Sequence, residues 1–235
     1  MRIGVDLGGT KTEALALDDT GHELRRIRVP TPQQDYPGTV RTIAALVQDL
    51  EREVGAQGTV GVGIPGTVVA ATGLVKNANS TWLNGQPLQR DLSKALDREV
   101  RCANDANCFA ISEATDGAAV GAEVVFGVIL GTGCGGGLVV QGALCTGPNG
   151  LAGEWGHTAL PGPTANEWPG PQCYCGRRGC LETWISGPSF ERDFQRVTGR
   201  PLRSAEIVTA AAGGDADAEA ALERLEDRIA RAGRE

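Results

Sequence analysis

Residues 2–17 have the sequence RIGVDLGGTKTEALAL, in which two apolar runs flank the tight turn DLGGTK at residues 6–11. The runs at residues 2–7 and 13–17 alternate in polarity and contain residues that favour strands, and Glu23–Val29 continues the pattern after a second turn. The chain is therefore predicted to begin with a meander of three antiparallel strands. Its first turn is rich in glycine.

The segments that follow alternate between helices and strands. Apolar residues at helical spacing predict helices over 38–54, 88–97 and 106–119, and short β-branched runs predict strands over 59–64 and 99–103. The first 119 residues thus form a predicted βββαβαβα unit.

The same order of elements begins again after residue 119. A strand at 123–130 leads into the glycine-rich stretch Gly131–Gly137, and strands at 138–140 and 143–145 follow. We infer an internal duplication, with domains at 1–119 and 120–235 and a cysteine-rich insertion at 146–182. Three helices are predicted beyond the insertion, at 187–197, 203–212 and 216–231.

Composition excludes several classes of protein. The 235 residues include 22 basic and 29 acidic side chains, a net charge of −7, which disfavours a nucleic-acid-binding protein. No apolar run is long enough for a transmembrane helix, and the first residues do not resemble a signal peptide. Seven cysteines in such a chain favour reduced thiols or a metal site, and a cytoplasmic location is expected.

Two glycine-rich turns at matching places in the two repeats suggest a phosphate-binding site. Glycines allow backbone N–H groups to approach phosphate oxygens, and Thr10 and Lys11 can add donors and positive charge. Asp6 is placed to hold a hydrated Mg²⁺ beside the phosphates. Taken singly, the turn at Gly8 and Gly9 is equally compatible with an ordinary hairpin.

Asn104 and Asp105 follow a predicted strand and are candidates for catalysis. A carboxylate at a strand end can accept a proton from an attacking hydroxyl, and the neighbouring amide can position that hydroxyl. The alternative is a helix cap before an alanine-rich helix. Asn79, Glu154 and Glu182 offer amide and carboxylate groups suited to sugar hydroxyls, although Glu182 is equally compatible with a surface position on a helix.

Three cysteines and a histidine form a candidate metal site. Cys173, Cys175 and Cys180 lie within eight residues, and with His157 they make a Cys₃His set typical of structural zinc. The alternatives are a redox pair or three inert buried thiols. The remaining cysteines are predicted to be small core or loop residues; they are Cys102, Cys108, Cys134 and Cys145.

Taken together, these motifs resemble the ROK family of sugar kinases, within the actin-like, hexokinase-like ATPase fold built from duplicated ribonuclease H-like domains. The resemblance extends over nearly the whole chain, and the stretch KNANSTWLNGQPL at 76–88 is most similar to bacterial fructokinases of the family. It rests on DLGGTK at 6–11, GIPG at 63–66, ANDANC at 103–108, ILGTGCGGG at 129–137, GEWGH at 153–157 and CYCGRRGCLE at 173–182.

The resemblance implies ATP- and Mg²⁺-dependent phosphorylation of a hexose. Fructose is the expected substrate, and N-acetylglucosamine and glucose are the alternatives. The resemblance also implies that the chain forms homodimers. Asp105 matches the family's catalytic base. The implied sugar ligands are Asn79, Asn104, Asp105, Glu154, His157, Glu182 and Gly66. The implied ATP-site residues are Asp6, Gly8, Gly9, Thr10, Lys11, Gly131, Thr132, Gly133, Gly135, Gly136 and Gly137. The implied structural zinc ligands are His157, Cys173, Cys175 and Cys180.

Two other functions belong to different classes. Sugar-sensing repressors of the family carry an N-terminal helix-turn-helix, whereas DLGGTK begins here at the sixth residue of an acidic chain. A sugar-binding module with little catalysis is the second. The second repeat favours this binding-module alternative, because no segment after residue 145 has the pattern of the two later strands of the repeat. We therefore expect an incomplete second domain, weak ATP binding, low stability and an exposed apolar patch that promotes association.

Overall fold

The computed structural model describes residues 1–148 and 150–234. Contacts between Cα atoms divide the chain into two units, Met1–Phe109 and Ala110–Glu235. The domain limit predicted after residue 119 stays a prediction; the division seen here lies earlier, within a helix.

Unit 1 is built on a mixed five-stranded sheet. Its strands and those of an adjoining two-stranded ribbon are β1 (Arg2–Leu7), β2 (Lys11–Leu17), β3 (Glu23–Pro30), β4 (Thr59–Ile64), β5 (Thr67–Val68), β6 (Val75–Lys76) and β7 (Val100–Asn104). The five-stranded sheet has the order β3-β2-β1-β4-β7, and β5 pairs with β6. The central strand β1 is antiparallel to β2 and parallel to β4, which is parallel to β7.

Helices α1 (Tyr36–Val54) and α2 (Leu88–Leu96) complete the core of unit 1, and α3 (Asp105–Thr115) follows β7. Asp35 caps α1 by accepting a hydrogen bond from the backbone N–H of Gly38 at 2.8 Å. Alternate residues of β1 and β4 point into a core that includes Ile43 and Leu50 of α1. This packing fixes the ends of the parallel strands, where the predicted catalytic residues lie.

Unit 2 contains a three-stranded sheet followed by helices. The strands are β8 (Val124–Leu130), β9 (Cys134–Val140) and β10 (Ala143–Cys145), in the order β10-β9-β8. The helices are α4 (Glu182–Ile185), α5 (Gly187–Thr198), α6 (Ser204–Ala212) and α7 (Ala216–Ala232). Beyond Cys145, the described residues add two isolated β-bridges and no further strand. Across the described part of the chain, no helix has the length and apolarity needed to cross a membrane.

One face of this sheet packs on α3, and the other leaves apolar side chains of β8 partly exposed, although Phe126 contacts Trp155 edge to face. Ala110 of α3 packs with Val125 and Val139 in a small core. On the opposite face of β8, Val124 is 61% exposed and Phe126 is 46% exposed. The exposed apolar surface that the sequence led us to expect is therefore located on the edge strand β8.

A buried ion-pair network joins the helices of unit 2. The Arg228 guanidinium is 5% exposed and contacts Glu167 at 2.9 Å and Asp193 at 3.4 Å. Although burial opposes ionisation, hydrogen bonds from Arg231, the Thr164 backbone and Arg228 hold the pKa of Glu167 down at about 2. The network ties α5 and α7 to Glu167 in the cysteine-rich insertion.

The predicted elements differ from the observed ones at several places. The helix expected over 106–119 begins at Asp105 and ends at Thr115, because the Glu113 side chain accepts a hydrogen bond from the Ala118 N–H and closes the helix end. The strand expected to resume at Leu138 begins at Cys134. The ribbon of β5 and β6 and the one-turn helix α4 were not predicted, since neither has a periodic apolar pattern.

Candidate functional site

The carboxyl ends of three adjacent parallel strands bring together polar residues of unit 1. Asp6 of β1 is in register with Gly63 of β4, and Ile64 of β4 is in register with Asn104 of β7. Asp105 follows directly as the first residue of α3. Open α/β sheets bind ligands at this edge, so the predicted base and the predicted Mg²⁺ residue lie where the topology favours a site.

The charge of Asp6 acts on the carboxyl group of Asp105. The pKa of Asp105 is raised mainly by burial, although its hydrogen bond from the Ala106 N–H opposes the shift, and the charge of Asp6 raises it further. Burial, and then the charge of Glu13, raise the pKa of Asp6, whereas the charge of Arg28 lowers it. A carboxylate whose ionisation is disfavoured by a neighbouring carboxylate suits a divalent cation, which would offset the negative charge.

Asn104 serves the helix as well as the candidate site. Its side-chain oxygen accepts a hydrogen bond from the backbone N–H of Asn107 at 3.1 Å, in the manner of an N-cap. The helix-cap alternative is therefore correct for Asn104. One carboxylate oxygen of Asp105 instead accepts a hydrogen bond from the Ala106 N–H at 2.8 Å. Its assignment as a base stays a prediction.

Gly66 acts by allowing close approach. A Cβ at Gly66 would lie 2.8 Å from the Lys76 carbonyl oxygen and 3.0 Å from Ala78, so a larger residue would push this segment away. The segment leads directly to Asn79, which is exposed beside the buried Ser80. The structure thus gives Gly66 a packing role that positions the loop of Asn79.

The first glycine turn uses part of its backbone internally. The Gly8 N–H donates to the Lys11 carbonyl at 3.0 Å, and a Cβ at Gly8 would lie 2.8 Å from that oxygen. The Gly8 carbonyl accepts a hydrogen bond from the Thr31 hydroxyl at 2.8 Å. Any backbone contacts of this turn with phosphate must therefore come from its other amides, at Gly9, Thr10 and Lys11.

The second glycine stretch divides into a turn and a strand. Gly131–Gly133 form the turn, in which the Gly131 N–H donates to the Gly133 carbonyl at 2.9 Å. The predicted ATP-site residues Gly135, Gly136 and Gly137 lie within β9. The Cys134 N–H donates to Glu182 Oε2 at 2.9 Å, so Glu182 is joined to the end of this turn.

The glycines of β9 and of GEWGH allow two backbones to pack directly together. A Cβ at Gly156 would lie 3.0 Å from the Cys134 carbonyl carbon and 3.1 Å from the Cys134 Cβ, and closer still to the Cys134 carbonyl oxygen. The Trp155 indole N–H donates to the Gly135 carbonyl at 2.8 Å. This contact sets the position of the one-turn helix Trp155–His157.

The four predicted metal ligands converge. One ligand atom from each of His157, Cys173, Cys175 and Cys180 lies within 4.8 Å of all the others. A tetrahedral zinc ion with Zn–S of about 2.3 Å and Zn–N of about 2.0 Å separates two sulfurs by about 3.8 Å and a sulfur and nitrogen by about 3.5 Å. The structure has 3.6 Å between the sulfurs of Cys175 and Cys180, and 3.5 Å between Cys173 Sγ and His157 Nδ1. The donor set therefore fits zinc.

The second nitrogen of His157 contacts a residue that the sequence analysis did not single out. Its Nε2 lies 2.9 Å from the hydroxyl of Tyr174, and the two rings meet edge to face with centroids 5.0 Å apart. Tyr174 lies between two predicted zinc ligands, and this position was the available signal. Burial first, and then the charges of Glu182, Cys173 and Glu154, raise the pKa of the Tyr174 hydroxyl to about 12.

Solved structures define the class of this fold. A ROK hexokinase from Thermus thermophilus aligns with a TM-score of 0.80 at 32% identity, covering 97% of this chain and 74% of that one. A ROK family glucokinase from Streptomyces griseus, in complex with glucose and AMPPNP, aligns with a TM-score of 0.78 at 30% identity, covering 95% and 75%. The fold is the hexokinase-like, actin-like ATPase fold, which confirms the predicted fold class.

The chain belongs to the ROK family, whose model matches residues 2–234. An N-acetyl-D-glucosamine kinase from Yersinia pestis bv. Antiqua (strain Nepal516) is 42% identical over 234 residues, which are 98% of this chain and 91% of the relative. The family prediction is confirmed. The predicted similarity to fructokinases in particular is corrected by this comparison, which favours the N-acetylglucosamine alternative.

Proposed function

We propose that the chain is an ATP-dependent hexose kinase whose preferred substrate is N-acetyl-D-glucosamine. The observation that carries the proposal is the 42% identity to an N-acetyl-D-glucosamine kinase over 98% of the chain. Support for the reaction type comes from the carboxylate pair of Asp6 and Asp105 at the strand ends and from the glycine turns that follow β1 and β8.

Asp105 is the proposed general base. A carboxylate accepts the proton of the attacking sugar hydroxyl as the oxygen bonds to the transferring phosphorus, and the bond from phosphorus to the leaving oxygen of ATP breaks. The raised pKa of Asp105 makes it a stronger base than an exposed aspartate. Magnesium bound with ATP would offset charge on the transferring phosphoryl group, and Asp6 is the side chain proposed to hold its hydration shell.

Glu154, His157 and Glu182 are the proposed sugar ligands of unit 2. Glu154 directly precedes the one-turn helix that presents His157, and Glu182 accepts a hydrogen bond from the Cys134 N–H. Carboxylates accept from hydroxyl groups, whereas a histidine whose Nδ1 binds a metal keeps its proton on Nε2 and donates. Asn79 and Asn104 are the proposed sugar ligands of unit 1.

Zinc held by His157, Cys173, Cys175 and Cys180 would have a structural role. It would fix the cysteine-rich loop and the ring orientation of His157. The ligand spacing described above supports this assignment. Elemental analysis of freshly purified protein tests it directly, since about one zinc per chain is expected and its absence from folded protein would contradict the proposal.

The test of the reaction is ADP release with four sugars, N-acetylglucosamine, glucose, mannose and fructose. We expect the highest kcat/KM with N-acetylglucosamine. Asp105→Asn should lower kcat by roughly 10²–10⁴ while largely keeping sugar binding, because the amide retains shape but accepts no proton. Asp116→Asn, at the exposed end of the same helix, is the matched control and should change kcat little.

The outcomes separate the alternatives. Faster turnover of fructose would restore the fructokinase interpretation. Sugar binding without ADP release in the presence of ATP and Mg²⁺ would identify a binding module. A loss of less than fivefold in Asp105→Asn would remove Asp105 from the role of base.

A further inference from the structure

The contact between Tyr174 and His157 places a protein hydroxyl on a nitrogen that the proposed function reserves for substrate. Tyr174 Oη lies 2.9 Å from His157 Nε2, and His157 Nδ1 faces Cys173 Sγ at 3.5 Å. With Nδ1 turned to the thiols, Nε2 is the only ring nitrogen of His157 left for a hydroxyl. A single N–H makes one strong hydrogen bond, so a sugar hydroxyl and Tyr174 cannot both occupy it.

Two other proposed sugar ligands of unit 2 also affect the phenol electrostatically. The charges of Glu182 and Glu154 both act on the Tyr174 hydroxyl. The Tyr174 oxygen therefore contacts a histidine nitrogen at 2.9 Å, at a position where the charges of two carboxylates also act. This is the same set of partners that a sugar hydroxyl would use.

Tyr174 is able to leave this position. Its side chain is 75% exposed, so rotation toward solvent displaces no packed core. Its backbone is held on both sides by Cys173 and Cys175, which belong to the cluster of metal ligands. The side chain can therefore move while the loop that carries it stays in place.

We propose that Tyr174 is a cap on His157 that the hexose displaces. A sugar hydroxyl replaces the Tyr174 hydroxyl on Nε2, and the tyrosine side chain rotates into solvent. Tyr174 thus lowers the affinity for sugar and favours only those hexoses whose hydroxyl competes well for the histidine. This inference rests on the proposed function, in which His157 binds the sugar.

Tyr174→Phe separates the hydrogen bond from the ring. Phenylalanine keeps the edge-to-face contact but offers no oxygen to Nε2, so the sugar no longer competes with a neutral hydrogen bond. Such a bond contributes enough to change affinity by about 2- to 12-fold. We expect the dissociation constant for N-acetylglucosamine to fall by that factor, as measured by titration calorimetry, with zinc content unchanged.

Tyr36→Phe is the matched control, because the sequence contains two tyrosines. Tyr36 also has a hydrogen-bonded hydroxyl, which donates to Asp91 at 2.7 Å in unit 1. Its replacement should leave the affinity for sugar unchanged. Fluorotyrosine labelling provides a second measurement, since two ¹⁹F resonances are expected and sugar should shift the one that Tyr174→Phe removes.

Each result decides between the cap and its alternatives. Weaker sugar binding in Tyr174→Phe would make Tyr174 a sugar ligand and overturn the cap. If the sugar affinity is unchanged and the Tyr174 resonance does not shift, Tyr174 is a surface residue with no role in sugar binding. If the wild-type chain binds none of the four hexoses, the proposed function fails and the cap fails with it, whereas binding to wild type without tightening in Tyr174→Phe refutes the cap alone.

Discussion

Gly156→Ala tests whether close packing of GEWGH on β9 positions His157. The alanine Cβ would lie 3.0 Å from the Cys134 carbonyl carbon. Favourable carbon–carbon contacts begin at about 3.5 Å, so this contact alone requires a shift of about 0.5 Å, and the nearer carbonyl oxygen requires more. Both partners are backbone, and rotamer changes cannot relieve the overlap. The one-turn helix must therefore move away from the strand.

The expected effects follow from that displacement. Overpacking of this kind costs about 1–3 kcal/mol of unfolding free energy, which corresponds to a fall in Tm of about 2–12 °C for a chain of this size. Residues of a binding site must be held within about 0.5 Å of their productive positions, so a shift of about 0.5 Å is enough to weaken binding. The loss of one hydrogen bond from His157 or Glu154 should then weaken hexose binding by about 2- to 12-fold.

Thermal unfolding and sugar titration measure the two effects. Gly61→Ala is the control, because a Cβ there meets no heavy atom within 4 Å and its backbone has no positive φ. It should leave sugar affinity unchanged. If Gly156→Ala keeps both the Tm and the sugar affinity of the wild type, the backbone contact does not position His157, and the packing argument is refuted.

Three further outcomes are expected. In pH profiles, kcat/KM should fall as acid protonates Asp105, with a midpoint above the ordinary aspartate pKa of 3.8; Asp6→Asn should move that midpoint lower, and an unmoved midpoint would contradict the coupling. Chelation should release zinc and weaken hexose binding more than nucleotide binding, because His157 loses its anchor; equal losses would indicate general unfolding. Val124→Lys on the exposed edge of β8 should reduce concentration-dependent association in sedimentation, whereas Val197→Lys, at a 51% exposed position on α5, should not.

The sequence alone determined the order of elements and most of the candidate chemistry. Alternating polarity located β1 and β4 within a residue of their observed ends, because the side chains of a strand alternate between core and solvent. Thiols placed within eight residues predicted the cluster of candidate metal ligands, since a short loop brings them together whatever surrounds it. The repeated glycine turn is the feature that predicts a duplication.

Tertiary structure decided which backbones and side chains meet. Gly135–Gly137 are suited to a loop by composition, yet they lie in β9, where they pair with β8 and where Gly153 of GEWGH packs against Gly136 and Gly137. Tyr174 acquires its partner only when the loop of Cys173 folds against His157. Arg228 would be assigned to the surface by its charge, but Glu167 and Asp193 compensate its burial. Periodicity records which face of an element is buried, whereas these contacts depend on which elements become neighbours, and distant segments leave no periodic signal of that choice.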